Sequence, residues 1–258
     1  MFSQAVEVVA ETNIFARRVD GRQVLVYSLQ YSAARDLAMI LPIPVPPHSP
    51  DDAVTFINLE RYPEFFADMR QGFRPLTMSF MSWTSASLGT ATLQVHDVGA
   101  FEASFVPGIS DFGRLDERFR LPAGVWDKLP IYSDHGFAVV KLKSTGANTA
   151  PVHPMALAFP HREPGVLFFP TVHVHDGSVH PNALFDHVLY CQVAPDMYEG
   201  VVSWERSRTV ASAFMDTKRA TGLVDGDRLC WRRALNGRMT NTDTWVGAGG
   251  SMPQPAAD

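Results

Sequence analysis

Residues 5–18 and 23–31 are two alternating runs, rich in β-branched and aromatic side chains, with an Asp20-Gly21 turn dipeptide between them. Apolar residues at every second position put one face of a strand into a core. An Asp-Gly dipeptide supplies the positive-φ corner that lets two such runs pair with each other. The pattern predicts an opening β-hairpin, and a period of two then recurs along most of the chain.

Residues 36–43 read as a buried strand that runs into Pro42, Pro44, Pro46 and Pro47. Prolines remove backbone donors and force an extended exit from a sheet. Asp51-Asp52 marks a short helix start. Residues 62–70 predict a helix, with Pro63 near its first turn and Gly72 just past its end. Residues 74–90 read as irregular, and 91–106 as a hairpin turning at Val98-Gly99. A short helix is expected over 110–120, capped by Ser110 or Asp111, and a helical turn over 122–128. Strands follow over 136–143, three more between 152 and 193, then 201–204, a helix over 209–220 and a final strand over 228–235. Strands outnumber helices and the connections read as hairpins. The expected fold is mainly β, with α+β as the variant: an antiparallel β-sandwich or barrel decorated with a few short helices. Residues 1–246 form one expected domain. Residues 247–258 are rich in Gly, Pro and Ala and are expected to be a disordered tail.

Composition narrows the partners. Apolar residues make up 46% of the 258 and charged ones 19%, enough for a sizeable core. The net charge is −5 and the basic residues are scattered, which argues against a nucleic-acid partner. Two cysteines, Cys191 and Cys230, exclude a disulfide framework. No stretch approaches the ~20 apolar residues of a membrane helix, and residues 1–10 do not read as a signal peptide. A cytoplasmic location with no membrane partner is expected. Gly-x-Ser-x-Gly, the phosphate-binding Gly-x4-Gly-Lys and the dinucleotide Gly-x-Gly-x-x-Gly are all missing from the sequence. Asp111-Phe112-Gly113 spells a kinase metal triplet, but no catalytic loop accompanies it, and it reads as a helix cap.

Six of the nine histidines lie between His153 and His187. If residues 152–160 and 165–175 form a hairpin about Glu163, Leu157 faces Phe169 and His153 faces His173. If the next hairpin turns about His180, His173 faces His187. Residues two apart on a strand share a face, so His175 joins them. Opposite Cβ atoms lie ~4.5–5.5 Å apart, close enough for imidazoles to lean onto one ion. His153, His173, His175 and His187 are thus candidate ligands for a transition metal: zinc, iron, copper or nickel. The competing expectation is that they are ordinary structural histidines, since a one-residue slip would move the whole set to the other face. His161 and His180 read as loop residues, and His135 as part of a turn.

Two resemblances bear on this. Residues 27–47, with Asp36-Leu37-Ala38 leading to Leu41-Pro42-Ile43-Pro44-Val45-Pro46, resemble the opening of an uncharacterised bacterial family; this implies a β-rich bacterial domain and no function. His173-x-His175 on a strand is similar to the first metal motif of cupins. The downstream glutamate and the glycines of that motif are missing, so only the strand-borne His-x-His carries over.

Three functions follow as expectations. The first is a metal-dependent enzyme, an oxidoreductase or hydrolase, acting on a small-molecule substrate through a mononuclear histidine site. The second is a non-catalytic β-sandwich binding or assembly module with structural histidines, which could be a homo-oligomer. The third is a Cys191 nucleophile activated by His187.

Overall fold

The computed structural model describes residues 1–74, 102–122, 124–146, 148, 150–151, 154–175 and 177–247. The opening hairpin forms as expected. Strands β1 (Val8–Val19) and β2 (Arg22–Ser32) pair antiparallel, and Asp20 (φ 48°) with Gly21 (φ 76°) turn the corner in the left-handed region. Strand β3 (Leu37–Ile43) is buried along its whole length and leaves the sheet through the proline run.

Thirteen strands and one short α-helix are described. After β3 come β4 (Thr55–Asn58), α1 (Phe65–Gln71), β5 (Ala103–Val106), β6 (Gly136–Leu142), β7 (Ala150–Pro151), β8 (Met155–Pro160), β9 (Val166–Phe169), β10 (Asn182–Gln192), β11 (Glu205–Arg206), β12 (Trp231–Thr240) and β13 (Thr244–Gly247). They form an eight-stranded sheet in the order β11-β12-β10-β1-β2-β8-β4, with β7 also on β2, a three-stranded sheet β3-β6-β5 and a two-stranded sheet β13-β9. The fold is mainly β, built from stacked open sheets.

The side chains define the layers. Ile14, Leu25, Leu157 and Leu189 from one face of the large sheet share a core with Met39 and Val140 of the three-stranded sheet and with Leu167 and Val246 of the two-stranded one. Phe15, Val26 and Tyr190 on the opposite face pack beneath α1 and residues 211–230. The outer face of the three-stranded sheet, with Ile40 and Phe137, is covered by 3-10 turns carrying Phe112, Phe119 and Tyr132. Alternation along each strand feeds two cores at once, as a layered sheet protein requires. One side-chain bridge joins the large sheet to the two-stranded one. Gln23 is fully buried; its Nε2 donates to the Phe168 carbonyl at 2.7 Å and its Oε1 accepts the Phe168 N–H at 2.9 Å.

Several sequence expectations are corrected. The hairpin of residues 152–160 with 165–175 does not form: β8 is held on both edges, by β2 and β4, and β9 pairs with β13. The hairpin about His180 does not form either, because β10 lies between β1 and β12. The β1–β10 pairing is parallel, so the connections are not all hairpins. Residues 209–220 make a 3-10 turn (Ala211–Ala213) and further turns instead of a helix; Asp216 Oδ1 accepts the Lys218 and Arg219 N–H groups and closes a local turn. The helix expected over 110–120 is two 3-10 pieces (Ile109–Arg114 and Glu117–Phe119), and the first is entered from Gly108 with no side-chain cap, not from Ser110 or Asp111. Asp51-Asp52 lies in a turn leading into β4, which had no expectation. Residues 201–204 close a 3-10 turn (Pro195–Val201) instead of forming a strand. The strand expected to be last is followed by β13, which takes Gly247 out of the expected tail. The irregular stretch 75–90, the turn at Val98-Gly99 and residues 248–258 lie outside the described residues.

Candidate functional site

Residues 171–175 leave β9 in an extended conformation and are pinned from two sides. On one side, Asp243 Oδ1 accepts the Thr171 and Val172 N–H groups at 2.8 and 3.0 Å. Asn241 then acts on His173 as a strand would: its Oδ1 accepts the His173 N–H at 2.7 Å, and its Nδ2 donates to the carbonyls of His173 and His180, both at 2.9 Å. On the other side, Phe2 N–H donates to the Val174 carbonyl and Val6 N–H to that of His175. Phe2 also bridges to Met39 of β3. The 171–175 segment is therefore clamped between the loop after β12 and the first residues of the chain.

This clamp delivers His173 to His187. His187 lies on β10, opposite Thr12 of β1 and Leu235 of β12, on the face that carries Phe185 and Leu189 into the core. The two Nε2 atoms are 3.2 Å apart and the ring centroids 4.8 Å, with 26° between planes. His175 stacks on His173 at 4.8 Å and 20°. Phe185 closes against His173 at 4.5 Å, and Phe2 presents its edge to His175 at 5.4 Å. Three of the four candidate ligands thus come together, although neither hairpin proposed to align them exists. The fourth, His153, lies outside the described residues.

Burial controls the charge of this group. Desolvation, with help from the neighbouring imidazoles and the Met1 α-amine, pushes His187 down to about 3; desolvation pushes His173 down to about 4. Both are neutral at pH 7, the form that a metal ligand needs. The ring planes, however, do not converge. An ion bound at ~2.0–2.1 Å by an imidazole nitrogen lies on that ring's own lone pair, in the ring plane. Planes inclined by 20–26° and stacked on each other do not meet at one such point. His187 Nδ1 is buried with no hydrogen-bond partner among the described residues, whereas a ligating imidazole normally has its other nitrogen held by an acceptor. Among the described residues, no group of three or more His, Cys, Asp or Glu side chains is placed to hold a metal ion. As arranged, these rings do not fit a three-histidine ion site.

The other sequence candidates fall elsewhere. Cys191 is fully buried, and burial raises its thiol well above the usual range, away from the reactive thiolate. His161 lies in the loop after β8 and His135 closes a turn on Tyr132, as expected, but both rings are buried: His135 Nδ1 lies 3.0 Å from Asp134 Oδ1 and 3.1 Å from the Arg162 guanidinium, and His161 Nδ1 accepts the Glu163 N–H. Sequence reasoning missed Asn241 and Asp243, whose partners are 61–111 residues away. Asp243 is buried, accepts Tyr132 O–H at 2.5 Å, and is pushed up to about 6 by its burial.

A second feature lies at the margin of the large sheet. Strand β11 covers only Trp231 and Arg232 of β12. From 233 to 239, the outer edge of β12 has no backbone partner among the described residues. Arg233 and Arg238 on this edge are exposed and make no ion pair among the described residues. No helix among the described residues is long and apolar enough to cross a membrane.

No family model matches the chain. No curated protein matches it. Among solved structures it is similar to the crystal structure of baculovirus P35, at 13% identity and a TM-score of 0.48, over 95% of this chain and 99% of that one.

Proposed function

We propose that this chain is a non-catalytic binding or assembly module, in which the histidines are structural and a sheet edge does the binding. The observation that carries this reading is the edge of β12 over residues 233–239, which no strand among the described residues covers. An uncovered edge presents alternating N–H and C=O groups to any chain that can lie beside it. The histidine group supports the same reading, since its rings stack on one another and on Phe185 as core side chains do. Hydrogen exchange tests the edge. Outward amides between 233 and 239 should exchange much faster than inward ones bonded to β10. Uniform protection of both sets would mean a covered edge and would remove the reading.

A second reading keeps His173 and His187 as ligands of one transition metal in an enzyme. The 3.2 Å between their Nε2 atoms favours it, because two nitrogens on one tetrahedral ion at ~2.0–2.1 Å span roughly that distance. It requires both rings to turn. A rise in melting temperature on adding zinc, copper, nickel or ferrous iron, abolished in His173→Ala, would support it over the first.

A further inference from the structure

We propose that the open edge of β12 takes up an extended acidic segment of a partner protein as an added strand. This rests on the binding-module reading and names the chemistry of its partner. The backbone argument comes first. Residues 233–239 are held to β10 in unbroken antiparallel register, with Gly237 (φ 90°) as one left-handed step within the strand. No described residue exchanges a backbone hydrogen bond with its outer side. Strand β11 already uses the same edge, at Trp231 and Arg232.

Charge selects the occupant. Arg233 and Arg238 are five positions apart and therefore lie on opposite faces of the sheet. A strand added here would have one unpaired guanidinium on each side. The pair Arg232–Glu205 shows the preference in miniature, since the one acidic residue of β11 sits against an arginine of β12. A second copy of this chain is disfavoured: residues 231–240 carry three arginines and no acidic residue, so pairing two β12 edges would set two basic strips side by side, and like charges on neighbouring strands are destabilising. The chain as a whole carries −5, so the basic strip is a local feature and not a consequence of composition.

The probe is a capped, fluorescein-labelled octapeptide, Glu-Val-Thr-Val-Thr-Glu-Val-Thr, whose two glutamates have the same five-residue spacing. Two controls accompany it: lysine in place of both glutamates, and N-methylation of alternate backbone nitrogens. Fluorescence anisotropy should show binding of the glutamate peptide. R233E/R238E, which changes only exposed side chains, should weaken that binding at least about tenfold and favour the lysine peptide. One of the two N-methylated frames should abolish binding. Hydrogen exchange should slow within 233–239 when the peptide is present. Failure of the glutamate peptide to bind, equal binding of both N-methylated frames, or protection confined to another region would overturn the proposal. So would a stable wild-type dimer lost in R233E/R238E. Metal analysis of the same preparation separates the layers. Stoichiometric metal would remove the reading of the histidines as structural, whereas the anisotropy result would still decide the edge.

Discussion

The Nε2 atoms of His173 and His187 lie 3.2 Å apart, although no backbone hydrogen bond joins their segments. His187 is held by its own strand between β1 and β12. His173 is delivered from outside that sheet by Asn241, Asp243 and the first residues of the chain. The contact is thus a seam between layers, and it makes the stability of the layers depend on the protonation of two imidazoles.

Acid should open this seam. Both folded-state values lie below the usual 6.5, at about 3 for His187 and about 4 for His173. The unfolded chain therefore binds more protons between pH 6.5 and 4, and the contribution present above 6.5 is lost as pH falls through that window. His187 alone accounts for roughly 2 kcal/mol between pH 7 and pH 5. Asp243 works in the opposite direction, because its raised value, about 6, favours the folded state as it protonates. Urea unfolding of wild type and His187→Leu at both pH values isolates the imidazole, since Asp243 is common to both. The variant should lose less stability on acidification.

Asp243 anchors the clamp. Its carboxylate takes three donors, from Tyr132, Thr171 and Val172. Leaving a buried donor without a partner costs about 1–3 kcal/mol, so Asp243→Ala should lose several kcal/mol in denaturant unfolding. Tyr132→Phe removes one donor and leaves the other two bonds, and should cost about 1–2 kcal/mol.

Asn241 positions His173 without touching its ring. Asn241→Ala should release the His173 N–H and two carbonyls. Amide exchange over 172–175 should accelerate by at least about tenfold while β10 and β12 keep their protection, as expected of a local opening. Equal acceleration in β10 would place Asn241 in the global fold instead.

Gln23→Leu tests the side-chain bridge between sheets. The substitution keeps the volume but strands the Phe168 N–H and carbonyl in a dry core. A loss of about 2–4 kcal/mol is expected, and Gln23→Glu should be worse, because a carboxylate cannot donate to the carbonyl.

The parts of the fold that were legible in the sequence are local. Asp20-Gly21 announces the first hairpin because its turn chemistry acts over two residues; Gly72 does follow the last residue of α1, but in a right-handed conformation, and what requires glycine there is the distant Phe214 ring. The parallel pairing of β1 with β10 joins residues about 175 positions apart, and no turn residue records it. The site shows the limit more sharply. Face alternation does hold along β10, where Phe185 and His187 share one core-facing side. The register argument brought His173 to His187 by a hairpin that does not exist, and the actual agents, Asn241 and Asp243, looked like ordinary loop residues. Spacing also suggests ligands wherever histidines meet; only the inclination of the ring planes distinguishes a stack from a converging set.

The central claim is that His173 and His187 form a neutral packing seam and that binding belongs to the β12 edge. Nitrogen-15 spectra of the imidazole side chains in untagged protein test the first half most directly. Both histidines should report neutral rings from pH 7 down to pH 5, wherever the fold persists, with no change on adding one equivalent of zinc. A zinc-induced shift of both Nε2 resonances, together with one equivalent of tightly held metal, would contradict the account and make the two histidines ligands.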